Sequence, residues 1–140
     1  MTESESARDA AFVRARPSVD ASPDLAATDV EAFLHRTLRP VLKLQNSAVL
    51  ALVAHEVGER VPGFARFAPD DQRERLAATL RKDSRLKRVL LGVVLGALTA
   101  EELEFALAHE AEVRRRVVAL LAERVASQTS EVARRVAAGG

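Results

Sequence analysis

The side chains in this chain that could do chemistry are three histidines, His35, His55 and His109, and 20 carboxylates. In helical proteins a metal site commonly joins a histidine to a carboxylate three residues away on the same face. His109 and Glu112 have that separation in the reverse order, while Glu31 with His35 and His55 with Glu59 stand four apart. Two such pairs meeting in space would make a metal site. Against it, no HExxH occurs, and in a chain so rich in acids these spacings arise by chance. No metal and no cofactor are therefore assigned. Nucleophilic catalysis has no better support. There is no GxSxG, no cysteine, and no serine near a histidine in sequence. The missing cysteine also excludes disulfides and thiolate-ligated zinc or iron–sulfur clusters. LGVVLG at 91–96 is not a phosphate loop, because amides inside a helix are already bonded along it. The chain is expected to be non-enzymatic.

The basic cluster is more specific. Arg81, Lys82, Arg85, Lys87 and Arg88 surround Asp83, a local charge of +4 within eight residues. The cluster falls at the end of one expected helix and the start of the next. Cations at a helix start oppose its dipole, each by some tenths of a kcal/mol when exposed. With the free amides of that helix start they would suit an anion. A base-reading helix-turn-helix is rejected, since the next ten residues have no polar face for a groove. Non-specific phosphate contact remains the alternative function, so nucleic acid is an unfavoured partner. A plain solvated charge run is the commoner meaning of such clusters. Arg114, Arg115 and Arg116 are largely answered within their own helix by Glu110 and Glu112.

Two other features could meet a partner. Phe64 and Phe67 lie in VPGFARFAP, a loop bounded by prolines; they would form a partner surface or, more often, plug one end of a bundle. Gly92 and Gly96 lie four apart in VLLGVVLGAL, ten residues without a polar side chain. Each glycine costs roughly 1 kcal/mol against alanine inside a helix. That cost makes sense where another backbone comes close, since small residues at i and i+4 permit the approach. The favoured partner is the chain's own helix carrying SAVLALVA; the alternative is a second copy, giving a homodimer. Ten helical residues span roughly 15 Å, about half a bilayer core, so no membrane insertion is expected.

These features need elements to hold them. The chain has 140 residues, 48% hydrophobic and 29% charged with mixed signs, and a formal charge of +1. Ala, Leu, Arg and Glu dominate, which favours helix. Residues 1–27 hold two prolines, no apolar period and a local charge of −2, and are expected to be a disordered acidic tail. They contain no secretory signal, so a cytoplasmic location is the default. The capping box TDVE at 28–31 starts a helix that Pro40 ends or kinks. A second helix runs to Arg60, interrupted by Gln45, Asn46 and Ser47. A third starts at Pro69 and points Leu76, Ala77 and Leu80 inward. Asp83 or Ser84 caps a central apolar helix over 84–98, and TAEE caps a long helix over 99–127. Residues 128–140 are expected to fray. The expected fold is a single all-α bundle of about five helices over 28–127. The expected function is a small interaction or regulatory module acting through protein–protein contacts.

Overall fold

The computed structural model describes residues 2–17 and 29–139. It is all-α, with no strand among the described residues. The described residues form eight helices rather than the expected five, counting 29–44 as one. We number them α1 (Glu3–Ala15), α2 (29–44), α3 (Asn46–Arg60), α4 (Pro69–Lys82), α5 (Ser84–Leu95), α6 (Ala100–Ala108), α7 (Glu110–Ala126) and α8 (Thr129–Gly139). A short 3-10 turn, Phe64–Arg66, lies between α3 and α4.

The chain divides into two compact units: Met1–Asn46 with Gly92–Val117, and Ser47–Leu91 with Val118–Gly140. Each contains buried apolar residues. Leu38, Val41, Val94, Ala97 and Val117 are fully buried in the first unit; Val49, Val53, Val57, Leu76, Val125 and Val132 are in the second.

Several expected boundaries move, each for a local reason. Part of the expected disordered tail is helix α1. Its cap is a TESE box missed in the sequence: the Glu5 amide donates to Thr2 Oγ1 at 3.0 Å and the Thr2 amide to Glu5 Oε2 at 2.9 Å. The expected cap Thr28 lies outside the described residues, as does the rest of the tail. Pro40 does not end its helix. Leu34–Leu38 forms a wide π turn just before it, in which the Arg39 amide donates to the Leu34 carbonyl. A wider turn makes room for a residue with no N–H and a bulky ring. The break comes instead at Gln45, where ψ is 5°. The Gln45 side chain then donates to the Val93 carbonyl at 3.0 Å.

α4 begins with Pro69 as expected, but its inward face is Gln72, Leu76 and Leu80, with Ala77 exposed. The Gln72 amide reaches the carbonyls of Phe64 and Ala65 at 3.2 and 3.3 Å. The helix expected over 99–127 breaks at His109. There the backbone amide is shared between Phe105 and Ala106, and Nδ1 also lies 3.1 Å from the Phe105 carbonyl. The kink shifts the helical phase, so Ala106 turns in and Leu107 is 59% exposed. The C-terminal residues form α8 rather than a frayed end, because Val132 is fully buried.

Candidate contact face and basic cavity

The helix expected to be central is amphipathic. Leu86, Leu90 and Val94 are buried at i, i+4 and i+8. Arg85, Arg88, Val89, Gly92 and Gly96 are exposed. At about 100° per residue these five positions share an arc of about 100°. Two arginines of the basic cluster, Arg85 and Arg88, and the two glycines thus lie on one stripe along one helix.

The close helix crossing expected at Gly92 and Gly96 is not found among the described residues. Among the described residues nothing lies within 4 Å of a Cβ built at Gly92. A Cβ at Gly96 would meet the Gly92 carbonyl oxygen at 3.0 Å, which belongs to the preceding turn of the same strand of backbone. The helix ends at Leu95, three residues before the expected end at 98. Its last turn tightens there: the Ala97 amide bonds Val94 and the Leu98 amide bonds Leu95, both one residue short of α spacing.

The carbonyls freed by that ending all find donors within the first unit, as buried helix termini require. Gln45 takes Val93, and Arg16 takes Ala97 at 3.3 Å. Arg8 reaches both Gly96 and Leu98, the latter at 2.9 Å. Asp9 accepts from the Ala100 amide at 3.2 Å, at the start of α6. Arg16 also pairs with Glu102, whose carboxyl completes the expected Thr99 capping box. Burial pushes the Glu102 carboxyl up, but Arg16 and the Thr99 amide outweigh it and hold it below its ordinary value. α1 itself buries no residue, so polar contacts hold it.

The basic cluster is only partly free. Lys87 Nζ donates to the Arg81 carbonyl at 2.9 Å, capping the end of α4. Arg85 lies 3.4 Å from the carboxylate of Glu56, a residue only 8% exposed that also pairs with Arg60. Asp83 is the cap of α5: its Oδ1 accepts from the Leu86 amide at 2.9 Å. That amide, then Arg60 and Arg85, hold the Asp83 carboxyl below its usual range against the opposing effect of burial. Arg81, Lys82 and Arg88 are exposed and have no ion-pair partner among the described residues.

Phe64 is no partner surface. It is 1% exposed and fills the second unit's interior, with Phe67 edge-on to it at 6.3 Å. The histidines are not gathered into a ligand set: among the described residues no three His, Asp or Glu side chains could hold a metal. Glu31 pairs with Arg116, His109 stacks on Phe105, and exposed His55 lines a cavity of about 960 Å3 together with Glu59, Arg66 and Arg135.

A second cavity, of about 480 Å3, brings together residues that the sequence did not connect. Arg60, Arg75 and Lys82 line it with Thr79, Asp83 and Ser84. Arg75, Thr79 and Lys82 stand at i, i+4 and i+7 on α4, a signal readable from spacing. Arg60 comes from the end of another helix, and no local pattern announces it. No helix among the described residues is long and apolar enough to cross a membrane. No family model, curated protein or solved structure matches the chain.

Proposed function

We propose that this chain is a small non-enzymatic interaction module, and that the exposed face of α5 is its contact surface, first for a second copy of itself. One observation supports this most. Val89 is 40% exposed, and it shares its face with two exposed glycines, one of which has open space where a side chain would be. Glycine at Gly92 costs helix stability and meets no close neighbour among the described residues. A neighbouring helix laid on that face would gain a close backbone approach and bury Val89.

Charge favours a second copy laid antiparallel. Arg85 and Arg88 sit about 10 and 6 Å before Gly92 along the axis. In an antiparallel crossing centred on Gly92, each copy's Arg85 and Arg88 would lie at the opposite end of the contact from the other copy's. A parallel crossing would set the arginines against each other. With a net charge of +1, two copies have little long-range repulsion to overcome.

The test is mass by light scattering across a dilution series. The parent chain should approach twice 15.2 kDa at high concentration and fall toward 15.2 kDa on dilution. Val89→Glu should remain at the lower mass with unchanged helical circular dichroism. A parent chain that stays monomeric at every concentration, or a Val89→Glu variant that still dimerises, would reject this contact.

A further inference from the structure

The cavity of about 480 Å3 in the second unit, lined by none of the residues of the α5 stripe, calls for a different class of ligand. Its positive charge is not balanced locally. Arg60 is committed to Glu56 and lies 3.8 Å from Asp83 Oδ2, an oxygen with no hydrogen bond on the one acid lining the cavity, so three cations stand against one carboxylate there. Arg75 has no carboxylate partner among the described residues; its guanidinium lies over the Phe67 ring, 4.9 Å from its centre. Lys82 has none either. Two cations therefore face the cavity uncompensated.

The remaining polar groups are donors. Thr79 and Ser84 bring hydroxyls to the cavity, and neither hydroxyl has a hydrogen-bond partner among the described residues. A planar arginine fork, an ammonium and two hydroxyls suit a tetrahedral oxyanion carrying two charges better than a carboxylate carrying one. The volume exceeds that of phosphate and falls within the range of small-ligand sites. We propose that this cavity binds the phosphate monoester group of a small molecule, with Arg75 and Lys82 as the charged contacts and Thr79 and Ser84 as hydroxyl donors. It does not depend on the self-association reading and would stand if that failed.

The experiment is an amide NMR titration of the full chain with inorganic phosphate at low ionic strength, with chloride as the control anion. Saturable shifts confined to residues around Arg60, Thr79 and Ser84 are expected. Lys82→Gln should weaken binding about tenfold, as loss of a charge-assisted contact does. Lys82 is exposed and unpaired, so this variant keeps the fold. Arg75→Gln should weaken it by a similar factor. Shifts that do not saturate, that chloride reproduces, or that persist unchanged in Lys82→Gln would overturn the assignment. So would a steeply salt-dependent affinity for duplex DNA without saturable phosphate binding, which would hand these cations to a nucleic-acid backbone.

Discussion

A Cβ at Gly92 would meet open space, whereas one at Gly96 would lie 3.0 Å from a carbonyl oxygen. Neither glycine has a positive φ, so space and helix propensity decide what each tolerates. Gly92→Ala should stabilise the chain by about 1 kcal/mol in denaturant unfolding at monomeric concentration. Gly96→Ala should bring no such gain, because the end of α5 must give way to admit the methyl group. A stabilising Gly96→Ala, or a destabilising Gly92→Ala, would contradict this assignment of the two positions. From the sequence both glycines looked like one motif with one purpose. Their difference lies in where the helix stops, which depends on Arg8, Arg16 and Gln45 supplying donors from distant positions.

At the scale of elements, α1 acts as a polar clasp on the junction between α5 and α6. Its arginines meet carbonyls at a helix end, and Asp9 meets an amide at a helix start, so both dipoles are answered with the right sign. Removing residues 2–17 should cost about 1–2 kcal/mol. For a chain of this size that lowers Tm by a few degrees. The loss should depend on pH. The folded Glu102 carboxyl is held below its ordinary 4.5, so its stabilising contribution is present above that value and is lost as pH falls through the depressed one. The gap in Tm between full-length and shortened chains should therefore narrow as pH drops below about 4.5. An equal gap at neutral and acid pH would show that the Arg16–Glu102 pair contributes nothing. The helices themselves were largely legible, through the Pro69 start, the Asp83 cap and the Thr99 box. α1 was not, because its apolar residues have no period: it docks through arginines and an aspartate, whose partners are carbonyls and amides that no side-chain pattern reveals. That the helix continues through Pro40 was hidden for a related reason, since a π turn is a backbone adjustment.

For the whole molecule, the distribution of charge matters more than its sum. A net charge of +1 conceals a basic cluster whose members have divided tasks. Lys87 caps a helix, Arg85 answers buried Glu56, Lys82 faces the cavity, and Arg88 flanks the exposed stripe of α5. Counting charges located this region but could not separate those tasks, which depend on which helix end comes near. The chain has no cysteine, so one introduced thiol is unique and reports contact between copies directly. Gly92→Cys places it at the centre of the proposed antiparallel crossing, where two copies bring equivalent Cα atoms close enough for a disulfide, roughly 4.4–6.8 Å. Leu107→Cys provides an exposed control on α6. Under mild oxidation at a concentration where the parent chain dimerises, Gly92→Cys should convert rapidly and nearly completely to a disulfide-linked dimer, and Leu107→Cys should not. Slow, partial linkage equal to that of the control would mean that copies meet only by random collision and that the α5 face is not where this protein makes its contact.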